Sequence, residues 1–262
     1  MTQAYRFPLP TRTVQEQAFL ANLERQATLS KTSNVERFMH FPLWAPRQAV
    51  ARFLAQWEVF QLVQGVHGSI VECGVAFGGG LMAWAHFLSI TEPVAHTRRV
   101  IGFDTFEGFP DMAAQDAGAQ SGLAEAGGMA IPLDEEIAAV AALHDHNRAV
   151  GHIPRVELVK GDAAGPAGTI AKYVAAHPEM VVSLLVLDFD VYKPTAAALC
   201  FLVPRMPRGG VILFDEINCK DWPGETQALL DAGYAMGSGQ RIWPLRLRRC
   251  QYTSTMSYAV LE

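Results

Sequence analysis

The stretch Leu184–Glu216, LLVLDFDVYKPTAAALCFLVPRMPRGGVILFDE, decides the fold. Two apolar runs, Leu184–Leu187 and Val211–Phe214, stop abruptly at carboxylates: Asp188 and Asp190 after the first, Asp215 and Glu216 after the second. A helix-like piece and a Pro-Arg-Gly-Gly turn lie between them. The pattern predicts a strand–helix–strand unit whose parallel strands end on the same edge of one sheet. Four carboxyl groups then meet at one rim. Like charges that close repel unless a cation sits among them, and hard oxygen ligands suit Mg²⁺.

Upstream, SIVECGVAFGGGLMAWAHFLSI from Ser69 is an apolar strand, a glycine-rich turn and a helix, with Glu72 near the strand's end. RRVIGFDTFEGFP gives a second strand ending at Asp104, and PRVELVKGDAAG a third ending at Asp162. A helix over about 166–177 leads back into the opening stretch. Alternation of apolar strands and helices predicts an α/β protein: an open, mostly parallel sheet covered on both faces. Ligands of such sheets sit beyond the carboxyl ends of the strands, where strand order reverses. Each of these strands ends in an acidic residue at that edge. Past Glu216, a helix over about 224–232 and two tail segments, RIWPLRLRRC and STMSYAVLE, predict an antiparallel hairpin at the sheet's edge.

Residues 1–67 read as an N-terminal helical extension and 68–262 as the core. Residues 1–12, with Pro8 and Pro10, read as an extended arm. Thr13 with Glu16 predicts a capped helix, and a second helix runs over Arg47–Val63 just after Pro46. The aromatic FMHFPLW between them suits an oligomer interface or a buried packing strip. Residues 109–150, long for a crossover and carrying seven acidic side chains against one basic, read as an inserted lid or a mobile surface loop. The second half of that segment, from Asp134 to about Asn147, is helix-like, and His144 and His146 within it could reach a substrate.

A formal charge of −5 and a pI near 5.9 argue against nucleic acid as the partner. Arg241, Arg246, Arg248 and Arg249 suit a solvated strand face better than an anion site. With no apolar leader and no run long enough to cross a bilayer, the expectation is a soluble cytoplasmic protein. Cys73, Cys200, Cys219 and Cys250 lack metal or redox spacing; Cys73 and Cys200, in apolar surroundings, are expected to be buried thiols.

The glycines of Glu72-Cys73-Gly74-Val75-Ala76-Phe77-Gly78-Gly79-Gly80 let a ligand approach the backbone and expose N–H groups at a helix N-terminus. A dinucleotide fingerprint fits only as Gly78-x-Gly80-x-x-Ala83, which requires the strand to run on to Phe77. Glu72 suits an ammonium-bearing ligand such as S-adenosylmethionine. Asp104 is placed for ribose hydroxyls and Asp162 for the adenine side, although an acid after a strand is often a turn former. A cation on Asp188, Asp215 and Glu216 would lower the pKa of a substrate hydroxyl held beside an electrophilic methyl group. Asp190, on the same side as Asp188 if the extended geometry continues, is then a general base or a support.

VECGVAFGGG, IGFDTFEGFP, VKGD, LLVLDFDVYKPT, PRGGVILFDE and WPGETQALLD, in that order, resemble the macrocin O-methyltransferase family over roughly residues 68–233. The resemblance implies a Rossmann-like class I methyltransferase with a seven-stranded sheet and S-adenosylmethionine and Mg²⁺ as cofactors. It also implies cofactor contacts at Glu72, Gly74, Gly78, Asp104 and Asp162, metal ligands at Asp188, Asp215 and Glu216, and a sugar hydroxyl of a natural product as acceptor. Members are often homo-oligomers. The chain departs from the family with Glu216 for a second aspartate and Phe189 for a small residue. Catechol-type methyltransferases carry a lysine where Val191 stands, which leaves Asp190 as the base candidate. A catechol or polyketide-like phenol as acceptor, a nicotinamide-dependent oxidoreductase and a non-catalytic nucleotide-binding subunit are the alternatives.

Overall fold

The computed structural model describes residues 13–235 and 245–262. The arm at 1–12 and Arg241 lie outside the described residues. The chain divides into two compact units, Met1–Phe53 and Leu54–Glu262.

The first unit holds α1 (Val14–Leu29), α2 (Asn34–Met39), α3 (Phe41–Trp44) and the start of α4 (Arg47–Val63). Thr13 and Glu16 form the expected capping box on α1, and Ser33 with Glu36 forms another on α2. These reciprocal bonds satisfy N–H groups that a helix start leaves without partners. The Arg37 guanidinium donates to the Ala27 carbonyl and lies 5.2 Å from the Trp44 ring centroid. Of the aromatic strip, Phe38, Met39, Phe41 and Leu43 are exposed in this chain, so it is not a buried packing strip within the unit.

The second unit is built on one sheet of β1 (Ser69–Cys73), β2 (Val100–Asp104), β3 (Val156–Lys160), β4 (Val182–Leu187), β5 (Val211–Phe214), β6 (Arg248–Arg249) and β7 (Ser257–Val260). Its order is β3-β2-β1-β4-β5-β7-β6. The first five strands are parallel, while β7 pairs antiparallel with β5 and with β6, which is the expected edge hairpin. Arg248 and Arg249 are exposed on β6, charged side chains that discourage further pairing at a free edge.

Strand alternation sorts the core into two layers. Ile70, Leu184, Val186, Val211 and Leu213 face one cluster, with α5 (Gly79–Thr91) and the second half of α4. Val71, Cys73, Leu185, Leu187, Ile212 and Phe214 face the other, with α7 (Thr169–Ala176), α8 (Tyr192–Leu202) and α9 (Pro223–Ala235). Ala55, Val59, Phe60 and Val63 of α4 are fully buried in the first cluster. The unit therefore begins inside α4 at Leu54, ahead of the boundary at 67 expected from sequence.

The segment 109–150 likewise divides. Its second half is α6 (Asp134–Asp145), the crossover from β2 to β3, with Ile137 and Ala141 buried one turn apart. A face so buried makes α6 part of the scaffold rather than a lid. Only the stretch before it, with a 3-10 turn at Ala114–Asp116, crosses the rim. Cys73 is buried as expected, but Cys200 is exposed: the stripe Thr195, Ala198, Leu199 and Leu202 turns inward and leaves Cys200 on the outer face of α8. No helix among the described residues is long and apolar enough to cross a membrane.

Candidate active site

Register builds the site. Leu187 at the end of β4 pairs with Phe214 at the end of β5, so Asp188 and Asp215 leave the sheet side by side. Asp188, Asp215 and Glu216 each bring a carboxylate oxygen within 4.8 Å of the others. Asp215 is buried, and the other two are half-buried. Burial and then the charges of Asp190, Asp215, Asp188 and Glu225 push the Glu216 carboxyl well above its ordinary range. Its Oε2 is buried with no hydrogen-bond partner. An all-carboxylate set with an orphaned oxygen facing like charges fits a hard divalent cation such as Mg²⁺.

Asp190 joins this group by a different route from the one expected. The strand stops at Leu187, and Asp190 takes a left-handed backbone conformation at φ +64°, so extended geometry does not continue. It is nevertheless buried, and its charge is the first of those acting on Glu216. Glu225, in the first turn of α9, was not anticipated. It is fully buried, its Oε1 accepts the Glu216 backbone N–H at 3.2 Å, and its Oε2 has no partner. Burial, then Asp215, raises its carboxyl well above the ordinary range. The signal available was Glu225 in the run WPGET, two residues into the helix after the acidic strand end.

The neighbouring crevice lies where strand order reverses, between β1 and β4. Gly74 sits there at φ +96°, and a Cβ on it would stand 1.9 Å from the Asp188 carbonyl oxygen. Only glycine allows the loop to pass so close to the acidic strand end. Gly78 begins α5 at φ +77°, and a Cβ there would press on Ile137 of α6 at 3.1 Å.

Asp104 grips this loop: its Oδ2 accepts the N–H groups of Val75 and Ala76 at 2.8 and 2.9 Å, and its Oδ1 that of Phe106 at 2.7 Å. Three backbone bonds leave the carboxylate one of its roughly four acceptor sites for a ribose hydroxyl. Glu72 faces the layer under α5, where its Oε2 accepts the Trp84 indole N–H at 2.5 Å. Its oxygens lie 2.7 and 2.8 Å from where a Gly80 Cβ would be, so the carboxylate is tucked beneath the helix start. Asp162 is exposed just past β3, its Oδ1 accepting the Ala164 N–H at 2.8 Å as a turn former does.

β1 ends at Cys73, five residues before Gly78, which removes the structural premise of the dinucleotide fingerprint. His144 of α6 and His146 just after it also leave the site. Lys160 at the rim end of β3 reaches Asp134 at the start of α6, and His144 lies ten residues on, about 15 Å along the helix. There its ring packs edge-on against His86 at 4.8 Å, while His146 is exposed.

Comparison with known proteins places the fold that carries these residues. The macrocin-O-methyltransferase (TylF) family profile matches residues 52–229. A relative from Streptomyces olivaceus, 8-demethyl-8-(2,3-dimethoxy-alpha-L-rhamnosyl)-tetracenomycin-C 4'-O-methyltransferase, is 28% identical over 171 residues, covering 61% of this chain. The match spans 58% of that relative's length. The crystal structure of CalS11, a calicheamicin methyltransferase, superposes with a TM-score of 0.86 at 29% identity, covering 95% of this chain and 93% of that one. An apo structure of CalS11, described as a TDP-rhamnose 3'-O-methyltransferase of calicheamicin biosynthesis, gives a TM-score of 0.77 at 26% identity over 95% of both chains. The sheet has the class I methyltransferase architecture, and with most of its length matched by the profile the chain belongs to the macrocin O-methyltransferase family.

Proposed function

We propose that the protein is an S-adenosylmethionine-dependent O-methyltransferase that uses a divalent cation, Mg²⁺ by donor chemistry, to methylate a hydroxyl of a deoxysugar. The observation that carries the reading is the meeting of Asp188, Asp215 and Glu216 at the rim beside the glycine loop. The sugar rests on the relatives, which are described as acting on a rhamnosyl tetracenomycin and on TDP-rhamnose.

In this reading Asp188, Asp215 and Glu216 hold the cation, and Asp104 and Gly74 set the shape of the cofactor loop. Glu72 supports that loop from beneath α5, and Asp162 borders the adenine side. When bound, the two groups would supply Lewis acidity that lowers the acceptor hydroxyl's pKa and an electrophilic methyl group. Asp190 receives the hydroxyl proton on a carboxylate oxygen, and its left-handed turn points it at the acids rather than along the strand. The half-buried pair Phe109 and Trp222, ring centroids 5.6 Å apart, borders the insert and the loop after Glu216, where aromatic faces can take a sugar's C–H groups. A homo-oligomer is part of the proposal, and the exposed apolar residues of α2 and α3 are the surface that would serve it.

The test is mass-spectrometric detection of methyl transfer from S-adenosylmethionine to a panel of nucleotide-linked deoxysugars, deoxysugar glycosides and catechols, with Mg²⁺ or with EDTA. Methylated sugar, lost in EDTA, is expected. Full turnover in EDTA would remove the cation, and turnover of catechols alone would remove the sugar.

A further inference from the structure

Helix α8 begins directly after the Asp188–Asp190 loop, yet its N-cap, Val191, has no side-chain acceptor and its first turn has no acidic residue. The missing carboxylate comes from 76 residues away. Asp116, in the insert that crosses the rim, is buried at 5% exposure. Its Oδ1 accepts the Tyr192 N–H at 2.9 Å, and its Oδ2 accepts the Ala113 N–H at 2.9 Å. A carboxylate at that end of α8 is favoured by the helix dipole.

The same carboxylate also meets the second acidic loop. A Cβ on Gly224 would lie 2.0 Å from Asp116 Oδ1 and 2.5 Å from the Tyr192 nitrogen. Asp116 therefore seats on the bare Cα of Gly224, the residue before Glu225, whose Oε1 takes the Glu216 N–H. The insert is tied down around this point by the ion pair of Lys193 with Asp111 and by the Gln120 N–H to the Lys220 carbonyl at 3.2 Å.

We propose that Asp116 is a positioning residue that holds the Asp188–Asp190 loop and the Asp215–Glu225 loop at the spacing a divalent cation needs. The inference rests on the metal reading above. Asp116 is not itself among the converging acids: its oxygens are turned to backbone N–H groups, and its effect passes through Tyr192 and Gly224 to the two loops.

The experiment titrates Mn²⁺ into the full-length protein, with free ion read by electron paramagnetic resonance, and separately measures S-adenosylhomocysteine affinity calorimetrically. Asp116→Ala is expected to bind Mn²⁺ about tenfold more weakly or worse, as for other residues that orient metal ligands, with S-adenosylhomocysteine affinity near wild type. Asp116→Asn keeps the acceptor for the Tyr192 N–H and is expected to fall between the two. Gly224→Ala perturbs the contact from the other side. Helix propensity alone favours that change, but its Cβ would also press on the Tyr192 nitrogen at 2.5 Å and the Val191 carbonyl carbon at 3.0 Å, so weaker Mn²⁺ binding in it supports the Asp116 seat where Asp116→Asn loses affinity as well. Should the alanine variant at 116 fail to fold, these two carry the test. A wild-type protein that binds no Mn²⁺ overturns the metal reading and this inference with it. A wild-type protein that binds Mn²⁺, with variants that melt earlier but bind it equally, overturns this inference alone.

Discussion

In metal-free protein, replacing Glu225 by glutamine should raise stability at neutral pH and flatten its dependence on pH. Glu225 is fully buried, its Oε1 holds the Glu216 N–H, and its Oε2 meets no donor. Burial first, then the Asp215 charge, lifts its carboxyl well above the ordinary value of 4.5. A raised folded value means that the folded chain keeps a proton the unfolded chain has released. That contribution is complete below about pH 4.5 and is lost as pH rises through the folded value. Each unit of the shift is worth about 1.4 kcal/mol. Glutamine keeps the Oε1 acceptor, cannot ionise, and puts a donor where Oε2 lacked one.

Removing one orphaned acceptor from a buried site is worth on the order of 1–3 kcal/mol. For a unit of this size each kcal/mol moves the melting temperature by about 2–4 °C. Calorimetric melts in excess EDTA between about pH 5 and 9 read both quantities. The slope should shrink without vanishing, because the Glu216 carboxyl is raised as well. Added Mg²⁺ should stabilise the wild type more at the alkaline end, since carboxylates bind it only when deprotonated. A glutamine variant that melts below wild type throughout, or that keeps the wild-type slope, would refute the reasoning.

Asp188→Ala should abolish the EDTA-sensitive part of methyl transfer while calorimetry finds S-adenosylhomocysteine binding retained, because the side chain lies with the metal candidates rather than the loop. Asp104→Ala leaves three backbone N–H groups without their acceptor; denaturant melts should show a loss of about 1–3 kcal/mol, with weaker S-adenosylhomocysteine binding. Gly74→Ala, at φ +96° and 1.9 Å from the Asp188 carbonyl oxygen, should cost about 4 kcal/mol or more and yield little soluble protein. Native-state alkylation followed by peptide mass mapping should find Cys200 modified and Cys73 protected, since Cys200 is exposed while burial and then Glu72 push the Cys73 thiol well above its ordinary value.

What could be read from the sequence was local. The acids after β4 and β5 announced themselves because an apolar run that stops at a charge marks where a buried strand leaves the core. The capping box at Thr13 is complete within four residues and was read, whereas the equally local box at Ser33, in a stretch that reads as a polar gap, was not. Asp190 was misjudged in geometry because the chain leaves the extended conformation at Asp190 itself, two residues after Asp188, through a left-handed turn that glycine would have advertised and aspartate conceals. Nothing in the local sequence set Glu225 or Asp116 apart from other acids. Their burial is decided by chain segments 9 and 76 residues distant. Helix α6 was legible as a helix from Asp134, while its place in the scaffold rather than in a lid had a local cue in Ile137 and Ala141, one turn apart on a core-facing stripe.

Why four acids tolerate one rim follows from the division between register and support. Pairing Leu187 with Phe214 brings Asp188 and Asp215 together whatever their charge. A one-residue slip would turn Phe214 and its neighbours to the opposite layer, so the apolar core enforces the meeting of the acids. Core burial thus outweighs a repulsion that the acids could otherwise relieve only by moving apart. With that route closed, burial first and the neighbouring charges second raise the Glu216 and Glu225 carboxyls well above their ordinary range. A divalent cation would relieve the same repulsion without the protons. Uptake of the metal by this site should therefore release protons, and the number released should fall in Glu225→Gln if that residue shares the load.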